Sequence, residues 1–325
     1  MRIEIAPRSN DQIGNTYVVL ICGISLVIFL LVLLSYNFES FGSSKADIQV
    51  GIFARIFGLL SPVAFISAVF YRKRHLAAII FTTLITHMAL YQIRSTFAFA
   101  ILSSILFFAR QRQLTIPARI QFGFAGIFSG LAVLFFDKAK GQLLQGNFSY
   151  LLRAEPLYQV IWENNGHKIF QILNITLEKG YKIDGPIIHT SINILQIIPF
   201  ARTMFGIPTE HYGKKFKMDI FPAREAGIGS NIWGEGYAIG GFIGLMLMVL
   251  LFLAVIVLLN GLLDSPNPPL KIFALVVTPY LAFYIHRLPS GGVLSLMSNF
   301  FIITILPWVI ISLSNFNSSC TVEKS

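Results

Sequence analysis

Apolar runs at 17–36, 52–71, 76–91, 96–109, 120–136, 236–260, 270–285 and 293–313 alternate with short polar turns. One long polar stretch, between Phe136 and Glu235, interrupts the alternation. A helix needs about 20 mostly apolar residues to cross the hydrocarbon core, and backbone in lipid must bond to itself. The pattern therefore predicts an all-α polytopic membrane protein of about eight transmembrane helices with one large loop. Three segments follow: a five-span membrane region at 1–136, the loop at 137–235, and a three-span region with its tail at 236–325.

Charge settles how 76–109 is divided. Arg72, Lys73 and Arg74 precede it, and Arg110, Arg112 and Arg119 follow. One long helix would place a basic triplet on each side of the bilayer, whereas a hairpin turning near Arg94 keeps both in the cytoplasm, as the positive-inside rule favours. Ten basic residues (Arg2, Arg8, both triplets, Lys271 and Lys324) then lie inside, against three (Lys45, Arg94 and Arg287) in short outer turns. Both termini are expected inside and the long loop outside. Long segments translocate largely regardless of their charge.

The loop has helical spacing of its own. Leu157, Val160 and Ile161 recur on one face, as do Phe170, Leu173 and Leu177, with Gly180 as a stop. The apolar stretch from Ile187 to Phe200 is too short to span and reads as an interfacial helix or a re-entrant segment. Pro208, Gly213 and the lysines at 214, 215 and 217 read as an irregular, solvated segment.

Composition agrees with the class: 55% hydrophobic, 12% charged and a mean hydropathy of +0.70. The net charge of +10 is what basic cytoplasmic turns supply, so it does not point to nucleic acid. Cys22 lies in an apolar run and Cys320 in the tail, which argues against a disulfide framework. The first apolar run exceeds a signal-peptide core and no small-residue cleavage site follows it; it reads as an uncleaved span.

The chemistry on the outer side is anionic in its preference. Arg94, Arg153, Arg202, Arg224 and Arg287 present planar forks of donors suited to phosphate and pyrophosphate oxygens. Each could instead snorkel to headgroups or pair with a loop carboxylate. Glu235 stands at the mouth of the sixth span, where a carboxylate needs a partner; Arg224 or Arg287 is the partner expected. Glycines at 240, 241 and 244 allow close helix approach there. Of six histidines, His167, His189 and His211 lie in the loop; His189 and His211 are the candidate bases, since imidazole accepts a proton near neutral pH. Glu235 is expected to orient an arginine, with direct base catalysis as the other reading.

No H-E-x-x-H, Cys/His metal spacing, Asp-x-Asp, GxxxxGK[ST] or G-x-S-x-G motif occurs. No cofactor or metal is expected.

Four pieces together carry a resemblance. They are Arg94-Ser95 after a short turn, Arg153 in YLLRAEP, the segment IIPFARTMFGIP, and Ser230 followed by Glu235, Tyr237, Gly241 and Gly244. With Arg287 in the last outer turn, the chain from roughly Gly51 to Leu313 resembles the O-antigen polymerases, the oligosaccharide repeat-unit polymerases of bacterial envelopes. It departs from them in having fewer spans, and in having Phe200 directly after Pro199, with Arg202 two residues later.

The resemblance implies a C-type glycosyltransferase architecture in the bacterial inner membrane. It implies metal-independent joining of undecaprenyl-pyrophosphate-linked oligosaccharide units at the outer face. Arg94, Arg153, Arg224 and Arg287 would grip the diphosphate and His211, His189 or Glu235 would serve the chemistry. A chain-length regulator and a flippase would be partners in the same membrane. An O-antigen ligase remains a rival reading, as does a non-catalytic transporter of lipid-linked sugar. The transporter is less favoured, because Arg55 and His87 are nearly the only ionisable residues within the spans.

Overall fold

The computed structural model describes residues 11–37, 50–91, 93–110, 167–195, 197–198, 212–220, 231–284, 288 and 290–322. Among the described residues the regular structure is helical: α1 (Asp11–Ser35), α2 (Ile52–Phe70), α3 (Arg74–Tyr91), α4 (Arg94–Arg110), α5 (His167–Glu178), α6 (Pro186–Leu195), α7 (Tyr212–Ile220), α8 (Ile232–Leu263), α9 (Pro268–Tyr284) and α10 (Ser290–Val322). Four of these, α1, α2, α8 and α10, are long and apolar enough to cross a bilayer. The chain is thus a membrane protein whose described residues are helical. Helices α4, α6 and α9 are apolar but shorter. The fifth apolar run, 120–136, lies outside the described residues.

Two compact units divide the chain. One takes Met1–Asn147, Ser265–Val276 and Phe300–Ser325, the other Phe148–Asp264 and Val277–Asn299.

In the first unit α1 to α4 run alternately up and down. A Cβ on Gly14, at the start of α1, would strike the Tyr71 ring at the end of α2. At the opposite end the Tyr36 hydroxyl donates to the Leu90 carbonyl at 3.1 Å. Helix α2 is the centre: from Leu60 to Ala68 every residue is buried. The apolar cluster of Phe29, Val32, Tyr36, Ala54, Phe57, Leu90 and Tyr91 joins α1, α2 and α3.

The hairpin expected at Arg94 is present. Phe81 on α3 and Phe97 on α4 have ring centroids 5.4 Å apart, which one continuous helix cannot achieve. Phe70 and Phe107, at the ends of α2 and α4, are 5.6 Å apart, so the basic turn 72–74 and Arg110 share one end of the unit. The turn itself is a helix cap: Arg72 adopts φ 57°, and Lys73 N–H reaches the Ala68 carbonyl at 2.8 Å.

In the second unit α8 is not one straight rod. Gly240 and Gly241 leave helical geometry, and Gly241 sits at φ 61°, ψ −145°, a region open essentially only to glycine. The segment 232–239 consequently folds back antiparallel along 242–252. Trp233 meets Phe252 edge-on at 5.5 Å and Tyr237 meets Phe242 at 5.4 Å. The two backbones touch at Gly236 and Gly244; a Cβ on Gly244 would overlap the Gly236 carbonyl oxygen. The sixth span, expected at 236–260, falls within α8, with the break at Gly240 and Gly241 near its start. The glycines expected to permit close approach do so between two parts of one helix.

Helices α5 and α7 pack on the other side of 232–239 through Ile172, Ile183, Tyr212, Phe216 and Ala238. Gly180, in the left-handed region at φ 54°, ends α5 as expected, with Tyr181 N–H bonded to the Thr176 carbonyl at 3.0 Å. The lysine-rich segment read as irregular is α7. Tyr212 and Phe216, one helical turn apart, are buried beneath it, and that aromatic pair outweighs the polar character of the lysines.

Candidate functional site: a buried carboxylate on a histidine

The site begins with the N-terminus of 232–239. Asn231 is buried, and its side-chain oxygen accepts from Trp233 N–H at 2.9 Å and Gly234 N–H at 3.3 Å. Backbone donors at a helix start must find partners when water is excluded, and Asn is among the best residues for this. Gly234 leaves room for the Tyr212 hydroxyl, which would lie 2.9 Å from a Cβ there. That hydroxyl is hydrogen-bonded to Thr176 Oγ1 at 2.7 Å. Burial pushes the Tyr212 phenol up, the Thr176 bond opposes this, and the charge of Glu235 adds to the rise.

Glu235 follows, with 0% of its surface exposed. Three donors converge on it: His189 Nε2 at 2.7 Å and Asn193 Nδ2 at 2.8 Å on Oε1, and the backbone N–H of Ser290 at 2.5 Å on Oε2. A desolvated carboxylate requires such saturation, since each unmet acceptor costs energy in a low dielectric. Ser290 is the first residue of α10, so its N–H is one of the donors a helix start leaves over. Asn193 Nδ2 also reaches Ser290 Oγ at 3.0 Å.

His189 and Asn193 are four residues apart on α6 and share a face. The side chain of His189 is 11% exposed, so the pair opens at the imidazole while the carboxylate stays sealed. Asn193 and Ser290 can only donate to Glu235, whose oxygens accept. With Nε2–H donating as well, Nδ1 of His189 is left as the proton acceptor of the ring. The arrangement can present Nδ1 of His189 as an acceptor, with Nε2 turned to the buried carboxyl group.

At the far end of 232–239, Ile183 N–H caps the Ala238 carbonyl at 2.9 Å. Beside it Tyr181 donates to Asp219 Oδ2 at 2.6 Å, and Lys215 pairs with Asp184 at 3.3 Å. Burial, then the bond to Asp219 and its charge, push the Tyr181 phenol up.

Of the residues selected from sequence, His189 and Glu235 are brought together. Arg94 is the first residue of α4, at the turn after α3. Arg153, Arg202, His211, Arg224 and Arg287 lie outside the described residues, and with them the arginine partners expected for Glu235. Among the described residues Glu235 is held by a histidine, an asparagine and a backbone amide. Sequence reasoning missed Asn193 and Ser290. Their signals were an asparagine one turn from a histidine on a helix rich in isoleucine, and a serine opening a span beside Gly291 and Gly292.

Among the described residues no group of three or more His, Cys, Asp or Glu side chains could hold a metal ion. Comparison of the chain with protein-family models, curated proteins and solved structures returns no match.

Proposed function

We propose that the protein is a membrane glycosyltransferase that polymerises lipid-diphosphate-linked oligosaccharide units, with His189 as the general base. The observation that carries this reading is the fully buried Glu235 aimed at the partly exposed His189. In the reaction a hydroxyl oxygen of the acceptor sugar forms a bond to the anomeric carbon of the donor. The bond from that carbon to the phosphate oxygen breaks, and the diphosphate leaves with its electron pair. The hydroxyl proton passes to Nδ1 of His189, and Glu235 stabilises the imidazolium. Arg153, Arg224 and Arg287 grip the diphosphate as charge grows on it, through bidentate bonds that strengthen toward the transition state.

The eight-span topology, with both termini cytoplasmic and the site on the outer face of a bacterial inner membrane, belongs to the same proposal. It draws on the resemblance in sequence and on the basic residues gathered at one end of the α1–α4 unit.

The test is turnover of purified lipid-diphosphate-linked repeat unit in proteoliposomes containing a chelator. Wild type should build polymer, and His189→Ala should lose about 10²–10⁴-fold in rate. Undiminished polymer from His189→Ala would remove His189 from the chemistry. Transfer only to a different lipid-linked acceptor would make the protein a ligase.

A further inference from the structure

Helix α6 is amphipathic in the inverted sense. His189 and Asn193 point at Glu235, while Ile187, Ile188 and Ile194 are 80%, 67% and 55% exposed; Ser191 is exposed among them, and Thr190 Oγ1 donates to the Pro186 carbonyl at 2.8 Å. Leu195, Ile197 and Ile198 continue the exposed apolar surface. A helix on an aqueous loop turns its apolar side inward. Here the apolar side faces out.

The depth of the site explains the inversion. Gly236 lies against Gly244 and Met248, and Trp233 against Phe252, so Glu235 is level with the part of 242–263 between those contacts. At 1.5 Å per residue, Met248 is about 10 Å along the helix from Gly241. On that stretch Phe242, Ile243, Met246 and Leu247 are exposed, and no charged residue occurs between Glu235 and Asp264. This is the surface of a helix in lipid. Because α6 is bonded directly to Glu235, its isoleucines lie at the same level. The cap of the buried helix start by Asn231 has the same cause, since a helix N-terminus beside hydrocarbon has no water to bond.

We propose that lipid acyl chains cover the outer face of α6, so that the His189–Glu235 pair works at the hydrocarbon edge of the bilayer and not in an aqueous loop. A ligand reaching His189 then arrives laterally, as an amphiphile whose polar head meets the imidazole while its tail stays in the bilayer. Burial of Ile187, Ile188 and Ile194 in lipid supplies the driving force that keeps α6 in place.

The experiment places single nitroxide labels at Ile188 and Ile194 in the full chain, with Cys22→Ala and Cys320→Ser as background, in proteoliposomes without substrate. Leu247 serves as the lipid reference and Lys182 as the aqueous one. Both α6 labels should collide with oxygen and escape a water-soluble nickel chelate, as at Leu247. Nickel collisions at the level of Lys182 would overturn the proposal. So would protection from both reagents, whether with spin coupling between copies (a second chain covering the face) or without it (another part of this chain). Should a labelled protein not reconstitute, tryptophan at either position answers the same question. Quenching by lipids brominated in the acyl chain, beyond that of the unsubstituted protein, supports the proposal, and its absence overturns it. Accessibility is read without turnover, so its failure and the failure of the polymerase reading are separate outcomes.

Discussion

His189 Nε2 and Glu235 Oε1 lie 2.7 Å apart although 46 positions separate them in the chain. The pair should behave as one unit. Glu235→Gln keeps one oxygen to accept a bond but turns an amide nitrogen toward a donor. We expect it to retain residual polymerisation, about 10²-fold below wild type, and His189→Ala to lose as much or more. Adding Glu235→Gln to His189→Ala should cost little further, because groups that act together are not additive. Steady-state rates of the two single variants and the double variant measure this. Multiplicative losses would separate the residues.

Asn193 donates to Glu235 and to Ser290 Oγ at once. Asn193→Leu leaves a buried acceptor short of a donor, at a cost of about 1–3 kcal/mol. Asn193→Asp sets a second carboxylate against the first and should be worse near neutral pH. Its deficit should shrink on acidification, since two carboxylates sharing a site can hold a proton between them. Thermal unfolding in detergent across a pH series compares the two variants.

The fold-back of α8 depends unequally on its glycines. Gly240→Ala should be tolerated: its φ is −141° and nothing lies within 4 Å of a Cβ there. Gly241→Ala forces a side chain into φ 61°, ψ −145°, at about 1–3 kcal/mol. Gly244→Ala drives a methyl into the Gly236 backbone, which no rotamer change relieves, and should cost about 1–3 kcal/mol. Unfolding midpoints should rank Gly240→Ala above the other two.

Tyr181 donates to Asp219, and its phenol is raised above the ordinary 10.0, chiefly by burial. The folded value exceeds the unfolded one. Its stabilisation is therefore complete below about pH 10 and is lost as pH rises beyond that. Tyr181→Phe should differ from wild type by a constant amount below that point, and the difference should narrow above it. Denaturant unfolding at pH 8 to 11 tests the sign, and a widening gap would contradict it.

The proposed sidedness has its own test. Single cysteines at Lys179 and Arg112 should divide, with an impermeant thiol reagent added to intact cells labelling position 179 alone. Labelling at 112 would reverse the orientation assigned to the α3–α4 hairpin.

Much of the frame is legible in the letters alone. Apolar length and composition determine that the chain is a helical membrane protein, because only self-bonded backbone survives in lipid. The basic triplets on either side of 76–109 predict the turn at Arg94, and Gly180 marks the end of α5, since both signals act over a few residues. The lysines of α7 mislead for the opposite reason: only Thr176, Ile183 and Ala238, distant in sequence, reveal what Tyr212 and Phe216 are buried against. The glycines at 240, 241 and 244 announce close packing without saying which backbones meet. Only the tertiary structure decides that α8 folds on itself. That fold brings Glu235 to α6, where a histidine and an asparagine saturate it. A buried carboxylate must find donors, and which donors it finds depends on what the chain brings near, not on what stands beside it in sequence.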